Sequence, residues 1–155
     1  MESDRAENVI AKSIELNAPV SRVWQALTEH RQFGECFHVN LEGPFQPGQP
    51  TRGRITHPGY EHLKWEVTVQ KLEPEHTFSF TWHPFAIDPA VDYSHETPTL
   101  VEFNLTPTPT GTLLRVTESG FDNIPAARRS EAFLKNSGGW AAQIHNIEAY
   151  VAEHP

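Results

Sequence analysis

The sequence predicts an α+β fold in which one curved antiparallel sheet wraps around a long C-terminal helix. Through most of the chain, short segments alternate apolar and polar residues, which is typical of strands with one buried face. From about residue 133 the apolar residues instead recur every three or four positions, as on one face of an amphipathic helix. Neither an internal repeat nor a linker divides the chain. We therefore expect a single domain over residues 1–155, with its core at about 9–151.

The elements follow from these patterns in chain order. Alternation over Val9–Leu16 predicts the first strand, and Asn17–Pro19 ends it. Apolar residues spaced i, i+3, i+4 and i+7 predict a short helix over Val20–Leu27, with one further helical turn through Phe33–Phe37. Turn residues separate the remaining predicted strands, which are Arg52–His57, Leu63–Leu72, Thr77–His83, Leu100–Thr106 and Thr112–Gly120.

The predicted C-terminal helix carries an apolar stripe from Phe133 to Val151. Gly138 and Gly139 interrupt it, and each glycine costs a helix about 1 kcal/mol relative to alanine. A bend, or close packing of the helix backbone against the sheet, would account for that cost.

Many aromatic residues share the buried face of the predicted sheet. A curved sheet wrapped around one helix rarely closes tightly, so we expect an apolar cavity between the sheet and the C-terminal helix. For each of these residues the alternative is ordinary core packing. The side chains that we expect to contact a ligand there are Phe33, Phe37, Trp65, Phe80, Trp82, Phe103, Trp140 and Ile144.

Three motifs, in this order, resemble a known family. They are Ala18–Thr28 (APVSRVWQALT), Thr117–Phe121 (TESGF) and Gly139-Trp140. From about Val9 to Val151 the chain resembles the START-like (SRPBCC) superfamily, in the branch of the activator of the heat-shock-protein-90 ATPase (AHSA1-like). The resemblance implies a helix-grip (START-like, Bet v 1-like) fold and, commonly, a hydrophobic cavity. Members include lipid carriers, hormone receptors, cyclase-like enzymes and co-chaperones, so no single activity is implied.

Glu118 is the most informative polar residue. It shares strand parity with Leu114 and Val116, so we expect it to face inward. A carboxylate on an apolar face requires partners or must become neutral. One interpretation is a group that orients a ligand or acts as a general acid. The other is a structural carboxylate bonded to a backbone amide, an arginine or water.

Composition excludes several classes of function. The net charge of −8 disfavours nucleic acid as a partner. The single cysteine, Cys36, is expected to be a small core residue.

Motifs for metals and cofactors are not found in the sequence. His57 and His62 flank a turn rather than sharing a helical face, so we expect no metal site. No nucleotide-binding loop or other cofactor motif is present, so we expect no cofactor. Met1–Arg5 lacks an apolar signal region and no apolar run approaches the roughly 18–20 residues of a membrane span, so we expect a cytoplasmic protein.

A long connection over residues 84–98 carries Phe85, Ile87, Val91 and Tyr93. Loops of this length are usually lids, binding loops or disordered segments. The apolar residues favour a lid or an interface, and disorder stays an alternative.

The sequence therefore favours non-catalytic binding of a small hydrophobic or aromatic molecule, such as a lipid. A first alternative is a regulator of an Hsp90-class chaperone, which the resemblance implies. Its eukaryotic members usually carry an additional N-terminal chaperone-binding domain that we do not expect here. A second alternative is a cyclase-like or hydrolytic enzyme with Glu118 as acid/base and His57 or His62 as its partner. The oligomeric state stays open.

Overall fold

The computed structural model describes residues 8–86, 88 and 90–155, and within them the chain forms one seven-stranded sheet and three α-helices. The sheet order is β1-β7-β6-β5-β4-β3-β2, and every neighbouring pair is antiparallel. The helices and strands, in chain order, are β1 (Val9–Leu16), α1 (Val20–Thr28), α2 (His30–Phe37), β2 (Val39–Leu41), β3 (Pro50–Ile55), β4 (Lys64–Glu73), β5 (Thr77–Trp82), β6 (Thr99–Thr108), β7 (Gly111–Ser119) and α3 (Ala126–Glu153).

This architecture confirms the predicted α+β helix-grip fold. Helix α3 lies over one face of the curved sheet, where Trp140 contacts Phe103, and its buried residues Trp140, Ile144, Ile147 and Val151 follow the predicted stripe. The helix begins at Ala126, seven residues before the predicted stripe starts at Phe133, because its first turns are largely exposed and carry little apolar pattern.

The sequence did not predict strand β2. It spans only Val39–Leu41, which is too short to show a period of two. A close approach of main chains fixes its place beside β3, since a Cβ on Gly53 would lie 2.4 Å from the main-chain oxygen of Asn40. Only glycine allows this contact.

Gly138 and Gly139 are exposed on a continuous helix, and a Cβ on either residue would meet no atom within 4 Å. Close packing of the helix backbone against the sheet, one of the two explanations offered by the sequence, is therefore wrong. The neighbouring Trp140 makes the contact with the sheet instead.

The interior between the sheet and the helices is filled by aromatic rings. Phe33, Phe78, Phe80 and Phe103 are all fully buried. Ring centroids of Phe33 and Phe37 lie 3.9 Å apart, and those of Phe103 and Trp140 lie 5.7 Å apart. Such spacings indicate direct aromatic packing. None of the helices in the described part of the chain has the length and apolar character to cross a membrane.

Candidate functional site

Glu118 lies near the end of β7, the strand between β1 and β6, and it is 0% exposed. Its Cα partners are Ile10 on β1 and Val101 on β6, both of which are buried. Leu114 and Val116 of the same strand are buried on the same face. The predicted inward orientation of Glu118 is therefore confirmed.

Four side chains donate hydrogen bonds to this carboxylate, two to each oxygen. The indole Nε1 of Trp82 and the hydroxyl of Thr99 donate to Oε2 at 2.7 and 2.5 Å. The indole Nε1 of Trp140 and the amide of Asn136 donate to Oε1 at 2.8 and 2.9 Å. We call these five residues the Glu118 cluster. It joins β5, β6, β7 and α3.

All four donors of the Glu118 cluster are electrically neutral. An ionised carboxylate only accepts hydrogen bonds, so four converging donors match its charged form. Neither interpretation from the sequence described this arrangement, because the partners are neither a backbone amide nor an arginine. The carboxylate is fully enclosed, and its lone pairs are committed to the protein.

The sequence pointed to only part of the cluster. Trp82 and Trp140 were expected to contact a ligand as apolar walls, whereas here their N–H groups bond Glu118. Buried indoles usually find an acceptor, and that rule would have suggested the pairing. Thr99 and Asn136 were missed, since each is brought to Glu118 only by the packing of β6 and α3.

A cleft of about 850 Å³ lies beside the Glu118 cluster. It forms where β4 and β5 diverge, since their pairing at this end stops at Thr68 and Thr81 while β4 continues back to Lys64. The cleft is lined by apolar and aromatic side chains together with a few polar ones, among them Trp65, Val67, Trp82, His83, Phe85, Val91, Asp92, Tyr93, Ser94 and Asn136.

The sequence-predicted contact residues divide between this cleft and the packed interior. Trp65 and Trp82 line the cleft, with ring centroids 6.2 Å apart. Glu118 lies behind the cleft wall, bonded to Trp82 and Asn136, which both line it. The others pack in the interior, where ligand contact stays a prediction for Phe33, Phe37, Phe80, Phe103, Trp140 and Ile144.

The predicted lid segment covers one side of the cleft, and Arg128 of α3 holds it there. The guanidinium makes a two-pronged contact with the carboxylate of Glu96 and donates to the carbonyls of Pro84 and Phe85 at 2.9 and 3.3 Å. It also lies 4.7 Å from the ring centroid of Tyr93. Hydrogen bonds from Arg128 lower the pKa of Glu96. Ile87, expected in the same segment, lies outside the described residues.

Other candidate groups do not join this site. Burial raises the pKa of the Cys36 thiol to about 12, so the thiol is protonated and unreactive. His57 and His62 are exposed in the connection between β3 and β4. Across the described residues, no group of three or more His, Cys, Asp or Glu side chains is placed to hold a metal ion.

The sheet, the covering helix and the adjoining cleft define a helix-grip domain of the SRPBCC type. Within that class the chain belongs to the family described as activator of Hsp90 ATPase homolog 1-like protein (AHSA1), whose model matches residues 17–152. This confirms the resemblance read from the three sequence motifs.

Several solved structures share the fold. The protein MLL2253 from Mesorhizobium loti is 25% identical, with a TM-score of 0.74 over 95% of this chain and 98% of that one. A protein from Arthrobacter aurescens is 17% identical, with a TM-score of 0.77 over 96% and 88% of the two chains. The Aha1 dimer from Colwellia psychrerythraea is 18% identical, with a TM-score of 0.69 over 92% and 95%. No curated protein matches the sequence.

Proposed function

We propose that the protein binds a small hydrophobic or aromatic molecule without converting it, in the cleft between β4, β5 and the segment over residues 83–98. The observation that carries this proposal is an 850 Å³ cleft walled by the Trp65 and Trp82 rings. Ligand pockets of proteins commonly measure about 300–1,000 Å³ and combine apolar walls with a few polar groups. Trp65, Val67, Trp82 and Phe85 provide such walls, and His83, Ser94 and Asn136 provide polar groups.

The location differs from the one expected from the sequence. Aromatic rings occupy the space between the sheet and α3, whereas the cleft lies beside it, at the end of the sheet where β5 turns away from β4. The lid supports a binding role, because Arg128 ties Glu96 and the carbonyls of Pro84 and Phe85 to α3 and so holds a wall of the cleft in place.

The geometry gives no support to the enzymatic alternative. Glu118 is fully buried, and four donors of the protein occupy its oxygens. His57 and His62, the expected partners of Glu118, are exposed in the β3–β4 connection rather than buried with it. A general acid or base must reach the proton that it transfers, and Glu118 does not reach the cleft directly.

A binding panel tests the proposal. Fatty acids, flavonoids and aromatic polyketides should include a compound that raises the melting temperature, since a ligand at one hundred times its Kd adds about 2.7 kcal/mol of stability. Native mass spectrometry of freshly purified protein should identify any co-purified ligand. Because Trp65 and Trp82 line the cleft, binding should also change the intrinsic tryptophan fluorescence.

A matched pair of variants assigns the binding to the cleft. Ser94 is exposed and lines the cleft. Ser94→Trp should obstruct part of the cleft and weaken binding, whereas Ser94→Ala should bind like the wild type. If no compound in the panel stabilises the protein, none co-purifies and none of the aromatic probes of different charge described below binds, the proposed function is wrong. Equal binding by both variants would place the ligand elsewhere.

Membership of the AHSA1 family favours chaperone regulation as a second candidate. On this alternative the protein should raise the ATPase rate of a bacterial Hsp90-class chaperone. Ser94→Trp should leave that effect intact while weakening ligand binding, which separates the two functions. An unchanged ATPase rate, with no complex at micromolar concentrations, would remove this candidate.

A further inference from the structure

The charges around the cleft differ in how strongly solvent screens them. Glu66 pairs with Arg52 at 3.1 Å, and both side chains are more than half exposed. Asp92 and its neighbour His95 are likewise exposed, and so is Lys64. Interactions of exposed charges are weakened by water and salt. These groups therefore contribute little to the choice of ligand.

Glu118 is the exception, because it carries a negative charge in the interior. It is 0% exposed, and among the described residues its hydrogen-bond donors include no lysine, arginine or histidine. The nearby cation Arg128 of α3 is committed to Glu96. A buried charge is screened far less than a surface charge. Trp82 and Asn136 connect this charge to the cleft, since each donates to Glu118 and also lines the cleft.

The aromatic walls favour positive charge for a second reason. Trp65 and Trp82 meet at 79°, so their rings form a corner of the cleft. Faces of aromatic rings attract cations, most strongly those of tryptophan. Donation of the Trp82 N–H to the Glu118 carboxylate polarises the indole and makes its ring more electron-rich. Tyr93, which also lines the cleft, already holds a guanidinium over its ring, that of Arg128.

From these observations, and on the basis of the proposed binding function, we infer that the cleft selects a cationic ligand: an amine carried on an aromatic or apolar body. The apolar body fills the space beside Val67 and Phe85. The ammonium group lies in the corner of Trp65 and Trp82, close to the charge of Glu118. Fatty acids and other anionic ligands are disfavoured at the same position.

Three probes of one size and different charge test this inference: naphthylmethylamine as the cation, naphthalenemethanol as the neutral compound and naphthoate as the anion. Titration followed by tryptophan fluorescence and calorimetry should give the order cation, neutral, anion. We expect at least about tenfold tighter binding of the amine than of the acid. The preference should persist at about 1 M salt, where the Debye length is about 3 Å, because its source is buried.

Two variants test whether the buried charge of Glu118 causes the preference for a cationic ligand. Glu118→Gln removes the buried charge and should narrow the difference in affinity between amine and alcohol, leaving only the part that the aromatic walls contribute. Lys64→Gln removes an exposed charge at the cleft and should leave the order unchanged. The measurements on the wild type decide the question even if Glu118→Gln folds poorly.

The possible outcomes separate this inference from the proposed function. If the acid binds as tightly as the amine, the cation preference is wrong and the binding function stands. The same conclusion holds if none of the three probes binds while the wider panel yields a ligand. If neither the probes nor the panel bind, both proposals are wrong. A preference that disappears in salt would assign selection to the exposed Asp92 and overturn the role of Glu118.

Discussion

Glu118 and Glu96 both tie helix α3 to the rest of the protein, yet they do so by opposite means. Glu118 is completely buried and is bonded by four neutral donors. The side chain of Glu96 is 14% exposed and is bonded by a guanidinium, that of Arg128. The first attachment holds the middle of α3 against the sheet. The second holds the lid segment against the N-terminal part of α3.

The two arrangements should respond differently to the surroundings. A charge that neutral donors hold away from water is little affected by salt. A partly buried ion pair such as that of Glu96 and Arg128 weakens with protonation of the acid and, less than an exposed pair does, with salt. The interior attachment is therefore expected to be permanent and the lid attachment adjustable, which suits a cleft that must admit a ligand.

The largest effect is expected from Glu118→Gln. In either orientation of the new amide, its NH₂ group would face two donors that now bond an oxygen. Unsatisfied buried donors and the loss of charged hydrogen bonds should cost about 2–4 kcal/mol. Urea denaturation near neutral pH measures this change, and raised salt should not reduce it.

The matched control is Glu15→Gln, which removes the same charge from an exposed position on β1 that accepts one bond from Thr110. It should change stability by less than about 0.5 kcal/mol. The sequence also allowed an unpaired, ligand-orienting carboxylate, for which Glu118→Gln would leave stability unchanged. Unchanged stability in that variant would revive this interpretation and contradict the structural one.

An intermediate effect is expected at the lid. Hydrogen bonds from Arg128 hold the pKa of Glu96 below its ordinary value of 4.5. The bonded form is the ionised one, so its contribution is complete above pH 4.5 and disappears as pH falls through the lowered pKa. Glu96→Gln should therefore cost about 1–2 kcal/mol near neutral pH.

Urea denaturation as a function of pH measures this change. The difference between wild type and Glu96→Gln should shrink below pH 4.5 and with added salt. Glu131→Gln, at an exposed position on the same helix, is the control and should show no such trend. A penalty for Glu96→Gln that is constant with pH would show that the charge of Glu96 does not matter.

The smallest effect concerns the glycine pair between Asn136 and Trp140. Since a Cβ on Gly138 or Gly139 meets no atom within 4 Å, alanine at either position should stabilise the protein by about 0.5–1 kcal/mol through helix propensity. Thermal and urea denaturation measure the gain. Gly53→Ala, which would clash with the Asn40 oxygen, should destabilise instead. Loss of stability in Gly138→Ala would show that the helix needs flexibility beside the Glu118 cluster.

Much of the fold was predictable because it rests on local patterns. Apolar residues that recur every two positions predicted six of the strands, and apolar residues that recur every three or four positions predicted the long helix. The position of Glu118 along β7 predicted that its side chain lies on the buried face of the sheet. The cleft was not predictable in its observed place. It depends on the divergence of β5 from β4 and on the contact of Arg128 with Glu96, 32 residues apart in the chain. Patterns within a short stretch of sequence do not predict contacts between residues that lie far apart in the chain.

The order of the strands also has a consequence for synthesis of the chain. Within the part of the chain that the structure describes, strand β1 pairs only with β7, and about 95 residues separate the facing residues Leu16 and Thr112. At about 5–20 residues per second, a ribosome needs roughly 5–20 s to make that stretch. During this time β1 has no strand to join. The sheet is therefore completed only after β7 has been made, and a nascent chain that stops before β7 leaves its first strand exposed to other chains.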